Sequence, residues 1–569
     1  MVKSFLTVLL LCSFQFLFAQ NWTTIGGNNQ HNGRSKIVGP AAVSNNWWQI
    51  DDAGTTLWGN SIFTYGDRFV TSRVTFNPYV AIVECRSLTN GEFLWEQQIS
   101  PTSILYCIGF DEHAVYVHDY YNNYVYALNP ADGSVKWQSE LTASIFGGND
   151  GVIYACNGDV ICNGPDGYAQ STMRLDRNSG AVLWTNTNFV SIIPNNGLAS
   201  YNGKVYRVEG TIVTHERLLA MDEETGASLY YSDDIPGDPD QENPITVGAD
   251  GTIYVSRDGG DLFAYRDTGS GFIQLWDYTP DQPGISGHFG IGWNNDLYII
   301  DDGYIKRINH ETGELLNTSL IPVDISYIGF ITIAGDGTVY VCDGTGSYFA
   351  FTEDLQTLLW QLDVPDCIYS GPVLARNGIL ITAGSGNEIT AYRFDDFAKP
   401  VADFFADHTE TAINQTVNFF DQSSFDPTTW AWEFDGGSPS VSSEQHPADI
   451  LFSEPGIHDV TLVATNSLGS DTLRKSCYIR SDDVTGNMMI HIAELALFPN
   501  PSDRFMSIIG LQTGSMIEIT TIQGTQILKQ EAGSEELTID VSGLSPSVYL
   551  ITERDATGQV IARSKFLRR

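Results

Sequence analysis

Basic residues are scarce in this sequence. Its 569 residues include 29 Lys and Arg against 69 Asp and Glu, a formal net charge of −40 at pH 7. Affinity for nucleic acid or for anionic membranes depends on clusters of Lys and Arg, so the composition excludes a general affinity for either. Charged residues make up only 17% of the chain and hydrophobic residues 42%, which excludes a mainly disordered acidic protein. A chain of this length is expected to form several domains.

Long apolar runs are also rare, and only one occurs, at the N-terminus. Lys3 precedes a stretch (5–18) that is almost entirely apolar, and Ala19 and Gln20 follow at the predicted cleavage point. This pattern is typical of a secretory signal peptide (1–19) and is too short for a stable membrane span. The mature chain is therefore expected to be exported and to have no transmembrane segment.

Cysteine is sparse and is not arranged in a familiar pattern. No C-x-x-C occurs, which excludes the common zinc and thioredoxin-like sites. Seven cysteines remain after removal of the signal peptide, an odd and thinly spread number that does not indicate a disulfide framework. Cys156 and Cys162 flank a Gly/Asn/Asp-rich stretch and could close one short loop; buried free thiols are the alternative.

The common catalytic motifs are missing as well. The sequence has no G-x-S-x-G, no H-E-x-x-H and no Gly-rich phosphate-binding motif. Two acidic turns (238–243 and 258–261) could hold a structural calcium ion, although neither has the D-x-D-x-D-G spacing, and solvated turn charges are the alternative. No catalytic, cofactor-binding or metal-binding residue is predicted.

What the sequence does contain is a repeat. Between residues 20 and 398, a strand-like segment, a turn with Gly and a terminal aromatic residue recur, and the terminal aromatics are 42 to 47 residues apart. Gly permits the positive φ of a turn, and Trp buries a large surface between repeats, so both are interpreted as structural residues. They are Gly91, Trp95, Gly133, Trp137, Gly180, Trp184, Gly226, Trp276, Gly313 and Trp360.

The repeat predicts an all-β fold. Alternating Val, Ile and Tyr between Gly/Asn/Asp turns indicates strands, and four strands per unit of this length are typical of a β-propeller. Eight central strand signals predict eight blades, with seven as the alternative. The segment 43–51 resembles an outermost strand, so we expect it to complete the last blade and close the ring.

The repeat resembles the pyrroloquinoline-quinone-like propeller repeat, whose pattern is A-x-D-x-x-T-G-x-x-x-W. Segments 219–226 and 126–137 carry it most closely. Quinoprotein dehydrogenases of that family have an adjacent cysteine pair over the cofactor and a bound calcium ion. No Cys-Cys dipeptide occurs in this sequence, so pyrroloquinoline quinone is not expected as a cofactor. The resemblance then implies the other use in the family, a non-catalytic scaffold that binds proteins or polymers.

Residues 401–480 resemble a PKD (polycystic kidney disease) domain. The markers W-x-F-x-G-G, P-G-x-Y-x-V-x-L and N-x-x-G are carried in order, with Ile457 and His458 where the family prefers Tyr. The resemblance implies an immunoglobulin-like β-sandwich with Trp432 in its core. The residues interpreted as structural are Trp432, Phe434, Gly437, Pro455, Gly456 and Asn466.

Residues 494–569, after a predicted linker at 481–493, resemble the type A C-terminal sorting domain of the type IX secretion system of Bacteroidota. The motif residues are Pro499, Asn500, Pro501, Gly543, Tyr549, Lys565 and Arg568. The resemblance implies a small β-sandwich, the type IX machinery as partner and export in two steps. It also implies cleavage in the linker, followed by release or by attachment to surface lipopolysaccharide.

These features favour a secreted or surface-attached, non-catalytic binding protein whose propeller and PKD domain contact protein or polysaccharide. The alternative is a secreted exoenzyme that acts on polysaccharide with a propeller face, and a quinone-dependent oxidoreductase is a third possibility. The acidity belongs to the exported part, since residues 20–399 hold 18 basic and 46 acidic residues while residues 494–569 hold 7 and 9.

Overall fold

A computed structural model describes residues 21–51, 56–57, 62–76, 79–99, 103–140, 151–166, 169–187, 197–211, 214–236, 238–239, 245–258, 261–281, 285, 287–323, 330–343, 347–364, 371–383, 388–394, 398–482, 496–498, 504–509, 511–521, 526–534, 536–545, 547–554 and 560–568. These residues form strands and turns with two short 3-10 helices, Ile25–Gly27 and Arg376–Gly378, which confirms the all-β prediction. No helix among them is long and apolar enough to cross a bilayer. The chain divides into two units, Met1–Ser481 and Asp482–Arg569.

The described residues before 394 form eight antiparallel sheets of four or five strands. Sheets 1 to 4 follow one another along the chain, and consecutive strands are hydrogen-bonded neighbours in each, except that the first two strands of sheet 1 both pair with its third strand. The strands that precede and build them are β1 Trp48–Asp51; β2 Thr56–Leu57, β3 Phe63–Tyr65, β4 Arg68–Phe76, β5 Tyr79–Ser87 and β6 Phe93–Gln97 (sheet 1); β7 Leu105–Phe110, β8 Val115–Asp119, β9 Tyr124–Leu128 and β10 Val135–Glu140 (sheet 2); β11 Ile153–Tyr154, β12 Val160–Asp166, β13 Ala169–Leu175 and β14 Val182–Asn186 (sheet 3); β15 Ala199–Tyr201, β16 Lys204–Thr211, β17 Thr214–Asp222 and β18 Ser228–Tyr231 (sheet 4).

Sheets 5 to 7 have the same plan, with the first two strands of sheet 5 both paired with its third strand, and sheet 8 takes its fourth strand from β1. Their strands are β19 Asp238–Pro239, β20 Thr246–Val247, β21 Thr252–Asp258, β22 Leu262–Asp267 and β23 Phe272–Tyr278 (sheet 5); β24 Gly290–Ile291, β25 Leu297–Asp301, β26 Tyr304–Ile308 and β27 Leu315–Thr318 (sheet 6); β28 Phe330–Ile333, β29 Val339–Cys342, β30 Ser347–Phe351 and β31 Leu358–Asp363 (sheet 7); β32 Val373–Ala375, β33 Ile379–Ala383 and β34 Glu388–Arg393 (sheet 8).

An N-terminal segment (21–38) shows how the sheets are arranged. It hydrogen-bonds to residues in or beside the first strand, or in sheets 1 and 5 the second strand, of seven sheets, namely Thr64, Phe110, Val152, Ser200, Val247, Ile291 and Ile333. Because one short segment reaches the same edge of so many sheets, those edges converge on it, as the inner strands of a propeller do.

The strand β1 closes the ring. It pairs antiparallel with β34, with Trp48 opposite Ala391 and Asp51 opposite Glu388, and so becomes the outermost strand of sheet 8. The predicted closure by segment 43–51 is therefore confirmed, because this N-terminal strand completes the last sheet. The described residues before 394 hold eight sheets, whereas the number of blades stays a prediction.

Each predicted Trp connects neighbouring sheets. The indole N–H of Trp95 donates to the carbonyl oxygen of Pro130 at 2.9 Å, and the ring lies against Gly133. The same pairing of an indole with a turn glycine of the next sheet recurs at Trp48–Gly91, Trp137–Gly180, Trp184–Gly226 and Trp276–Gly313, while Trp360 donates to the carbonyl of Pro40.

The PKD domain is a β-sandwich packed around aromatic residues. Trp432 and Phe434 are both buried and stack with ring centroids 5.9 Å apart, and Gly437 lies against the Phe434 side chain. Pro455 is exposed beside Gly456, the first residue of its longest hairpin. The strands are β35 Phe404–Ala406, β36 Glu410–Ala412, β37 Thr416–Val417, β38 Phe419–Asp421, β39 Thr429–Phe434, β40 Gly437–Ser438, β41 Val441–Ser442, β42 Ile450–Phe452, β43 Gly456–Asn466 and β44 Gly469–Asp482.

The second unit has two sheets around its own core. Tyr549 is buried and stacks on Phe566 at 5.3 Å, and Arg568 donates to the carbonyl of Val541 at 2.9 Å. Gly543 lies in an exposed turn. The strands are β45 Ala496–Phe498, β46 Phe505–Ile509 and β49 Glu536–Asp540 in one sheet, and β47 Met516–Thr521, β48 Gln526–Glu531, β50 Ser547–Arg554 and β51 Val560–Arg568 in the other.

Candidate functional site

Several predicted site residues lie outside the described residues. They are Ala19 and Gln20 at the signal cleavage point and Pro499, Asn500 and Pro501 of the sorting motif, together with most of the 481–493 linker. The side chain of Lys565, most of the predicted calcium turn 238–243 and half of the turn 258–261 are outside them as well. Among the described residues, no three His, Cys, Asp or Glu side chains come together as metal ligands would.

Cys156 and Cys477 form a disulfide that joins the propeller to the PKD domain. The pairing of Cys156 with Cys162 that the sequence suggested is wrong. In the hairpin of β11 and β12, Ile153 lies opposite Ile161, so Cys162 is directed into the buried core while Cys156 lies in the exposed turn. The bond closes a loop of 321 residues, and such a cross-link is expected to stabilise the folded chain by about 2–5 kcal/mol.

Polar side chains bond across the same interface. The buried carboxylate of Asp403 accepts from the side-chain amide of Asn21 at 2.9 Å, and Arg177 donates to the Thr409 hydroxyl at 3.0 Å. Asn466, predicted as structural, donates to the carbonyl oxygen of Ala398 at 2.8 Å. Further bonds join Lys36 to Asp471, Arg376 to the carbonyl of Gln422 and the backbone of Asn377 to Ser424. The PKD domain is therefore fixed against the propeller.

Glu112 is the centre of the interface. Its Oε2 atom accepts from the hydroxyls of Tyr65 at 3.1 Å and Tyr478 at 2.9 Å, one from each domain. Burial alone would raise the pKa of Glu112, but Lys475, His113 and the two hydroxyl bonds outweigh it and the pKa is lowered. Because a general acid needs a raised pKa, Glu112 is suited to accept hydrogen bonds and hold the two domains together.

A groove of about 660 Å³ opens beside Glu112, between the propeller and the PKD domain. The propeller contributes turns that follow the first strands and the third strands of its sheets, and the PKD domain contributes the segment 405–410. The groove is within the size range of small-ligand sites. Its polar and aromatic lining includes Asp67, Arg68, Glu112, His113, Arg177, Asn178, Phe405, Asp407, His408 and Glu410.

The charges in the groove are largely paired within the protein. Arg177 donates to the ring of His113 at 2.8 Å and to Glu410 at 3.3 Å, and Arg68 donates to the carbonyl of Pro130. Asn178 also donates to Glu410, at 3.2 Å. The half-exposed carboxylates keep acceptor capacity, because each carboxylate has about four lone-pair sites. The groove can thus bind a ligand through hydrogen bonds and contact with an aromatic ring.

The inside of the ring holds a much smaller cavity. It measures about 30 Å³, between the N-terminal segment and first strands, and is lined by residues such as Trp22, His288, Phe289, Thr332 and Val373. That volume holds one or two water molecules. The described residues around this cavity do not fit a tricyclic quinone. That the chain uses no quinone remains a prediction.

The groove residues were not singled out from the sequence, because the two halves of the site are about three hundred residues apart. Glu112 and Tyr478 are separated by 366 residues, and neither belongs to a motif. The signal that was present is the odd cysteine count, which left Cys477 without an obvious local partner. Pairing it with the exposed turn that contains Cys156 would have brought the PKD domain onto the propeller.

Three family models match separate segments of the chain. Residues 80–282 match "Outer membrane protein assembly factor BamB", residues 404–478 match the PKD domain and residues 496–566 match the secretion system C-terminal sorting domain. The chain therefore carries a quinone-type propeller repeat, a PKD domain and a sorting domain for type IX export to the cell surface or beyond. No curated protein matches the chain.

One solved structure with a TM-score of 0.50 shares the fold, and a second is similar at a lower score. Quinohemoprotein alcohol dehydrogenase from Comamonas testosteroni is 10% identical with a TM-score of 0.50, over 67% of this chain and 83% of that one. BamB from Moraxella catarrhalis is 16% identical with a TM-score of 0.45, over 62% of this chain and 99% of that one. At these identities the likeness to the dehydrogenase shows the fold alone.

Proposed function

We propose that this chain, which joins a propeller to a PKD domain and a sorting domain, is a non-catalytic extracellular binding protein. The observation that carries the proposal is the groove between propeller and PKD domain, held by the Cys156–Cys477 disulfide and by the Glu112 bonds. A spacer domain needs no buried bonds to its neighbour. A PKD domain fixed in this way supports a single binding unit built from both domains.

The export route follows from the sorting domain. A signal peptide would carry the chain across the inner membrane, and residues 494–569 would direct it through the outer membrane. Cleavage in the 481–493 linker would leave the propeller, the PKD domain and their disulfide in the mature product, since Cys477 precedes the linker. The mature protein is then released or attached to lipopolysaccharide. Intact mass of the secreted product should end within the linker; a product that still ends at Arg569 would contradict this route.

Binding without turnover is the test of the proposed role. The purified full-length chain is applied to an array of glycans and extracellular proteins, and in parallel to a panel of polysaccharides assayed for released reducing ends. We expect the chain to bind on the array and to release no reducing ends from the polysaccharides. Release that is abolished by Glu112→Gln or Glu410→Gln would instead support the exoenzyme, and neither binding nor release would contradict both roles.

A further inference from the structure

Three aromatic side chains extend the groove over the surface of the PKD domain. Phe405 lines the groove and lies directly opposite Phe420 on the two-stranded sheet of β35 and β38. The two rings stack with centroids 4.9 Å apart, and the ring of Phe420 is 6.0 Å from that of His446. We name Phe405, Phe420 and His446 the aromatic row.

The aromatic row faces outward, away from the core. The adjacent residues Phe404 and Phe419 are fully buried, as the alternation of a strand requires, whereas Phe405 and Phe420 keep part of their surface in solvent. A cross-strand pair of side chains stabilises a sheet by about 0.2–1 kcal/mol. The pairing of β35 with β38 therefore gains little free energy from the contact between these two rings. Their exposed surface is available to a ligand.

Acceptor groups lie alongside the aromatic row. Asp407 accepts from the side chain of Asn418 at 2.7 Å, and Asp421 accepts from the side chain of Gln445 at 3.2 Å. With Glu410 in the groove, these planar carboxylates and amides flank an apolar surface. A pyranose ring has an apolar C–H face and a rim of hydroxyls, so it needs both kinds of partner.

The charge of the groove disfavours an anionic ligand. Four carboxylates line it against two guanidinium groups, of which Arg177 is paired with Glu410, so the lining carries a net negative charge. An anion would meet more negative than positive charge, and like charges at close range cost several kcal/mol. A neutral ligand rich in hydroxyls meets no such penalty.

We propose that the groove and the aromatic row bind a neutral oligosaccharide segment of an extracellular polysaccharide. This inference rests on the proposed binding function and names the ligand class for the same site. The groove volume of about 660 Å³ accommodates a few sugar units, and the aromatic row continues the contact outside it. The chain would then bind along a polymer rather than only at its end.

Isothermal titration of the full-length chain tests the ligand class. The probes are cellohexaose, xylohexaose, mannohexaose and maltohexaose, with hexagalacturonate as the anionic probe and hexalysine as the cationic peptide. We expect at least one neutral hexasaccharide to bind and neither charged probe to bind more tightly. A preference for hexagalacturonate or hexalysine, or no binding of any neutral probe, would overturn the inference.

Variants locate the binding. The double variant Phe405→Ala/Phe420→Ala should weaken binding of the neutral probe at least about tenfold, as loss of aromatic anchors does at binding sites. Asn178 lies in an exposed turn of the propeller, so Asn178→Trp should block the groove from the propeller side without changing the PKD core. Phe93→Ala is the matched control, because Phe93 is an exposed ring that does not line the groove.

The two proposals fail in different ways. Binding that survives both Phe405→Ala/Phe420→Ala and Asn178→Trp places the ligand elsewhere, which overturns this inference but leaves the binding function intact. Melting temperatures of the variants identify any loss caused by unfolding, and the turn position of Asn178 keeps the test decisive if the double variant does not fold.

Discussion

The ring of Trp95 covers the backbone of Gly133 so closely that a Cβ atom at Gly133 would lie 2.5 Å from the ring carbon Cε3. Gly133 also has a φ of +75°, which L side chains rarely adopt. The contact connects the outermost strand of sheet 1 to the last turn of sheet 2, and it recurs at four more sheet boundaries. These boundaries are therefore closely packed.

Gly133→Ala should destabilise the propeller by about 3 kcal/mol. The positive φ costs about 1–2 kcal/mol for an alanine, and the clash with a buried, rigid indole adds about 1–3 kcal/mol. Gly203→Ala is the matched control, because Gly203 has a φ of +71° but nothing within 4 Å of its added Cβ. Urea unfolding measures both. If both variants lost the same free energy of unfolding, the contact with Trp95 would contribute nothing to the cost of Gly133→Ala.

The disulfide predicts a specific result in peptide mapping. A non-reducing digest should contain the peptides of Cys156 and Cys477 as one linked species, while Cys162 is alkylated only after unfolding because it is buried. Cys156→Ser, Cys477→Ser and the double variant should each lose about 2–5 kcal/mol. If the bond forms, the double variant loses no more than either single variant. Additive losses would contradict the bond.

The propeller could be predicted from the sequence because its signals are local and repeated. Each Trp and the Gly of its turn lie within one repeat, so their spacing is visible along the chain, and the segment around Trp48 was recognised as a strand by likeness to its copies. The contacts across a sheet boundary, such as that between Trp95 and Gly133, can be predicted once the repeats are stacked as neighbouring sheets.

The interface between propeller and PKD domain could not be predicted in this way. Tyr478 and Glu112 meet only after both domains have folded, and a lone carboxylate in a chain with 69 acidic residues gives no local signal. The local interpretation of Cys156 and Cys162 failed for a geometric reason, since the strand register directs one thiol inward and leaves the other in a turn.

Tyr478→Phe should weaken the interface more than Tyr65→Phe. Both hydroxyls donate to the same oxygen of Glu112, but the hydroxyl of Tyr478 also accepts from the backbone N–H of Ala406 at 2.9 Å. We expect losses of about 2–3 kcal/mol for Tyr478→Phe and about 1–2 kcal/mol for Tyr65→Phe, since bonds to a charged group are worth about 1.5–3 kcal/mol. Urea unfolding gives both values.

A double-mutant cycle with Glu112→Gln separates the bond from other effects of removing a hydroxyl. The coupling between Tyr478 and Glu112 should be about 1–2 kcal/mol. A coupling near zero would mean that the two side chains do not interact in solution, and the interface would then depend on the disulfide and the other hydrogen bonds that cross it.

Acid should destabilise the propeller through His31. Its side chain is fully buried, neither ring nitrogen has a hydrogen-bond partner among the described residues, and burial lowers its pKa to about 4. The unfolded chain, with a histidine pKa near 6.5, binds the proton more readily than the folded chain between pH 6.5 and 4. The free energy of unfolding should therefore be highest above pH 6.5 and fall as the pH falls, by about 2–3 kcal/mol at pH 4.5 from this residue.

His31→Asn removes the titrating group while suiting the backbone, because His31 has a φ of +52° and Asn tolerates that region well. Between pH 7 and 4.5 the free energy of unfolding should fall less in the variant than in the natural chain. The difference corresponds to the uptake of about one proton on unfolding, or about 1.4 kcal/mol per pH unit. His288 remains in both proteins; burial and, to a smaller extent, the charge of His31 lower its pKa to about 3, so the loss of His31 also relieves His288 and shifts the comparison in the same direction. Urea unfolding at intervals across this range, with pH 7 to 8.5 as the reference where the difference should be constant, measures the effect. Parallel curves for the two proteins down to pH 4.5 would mean that His31 is not buried as the N-terminal segment places it.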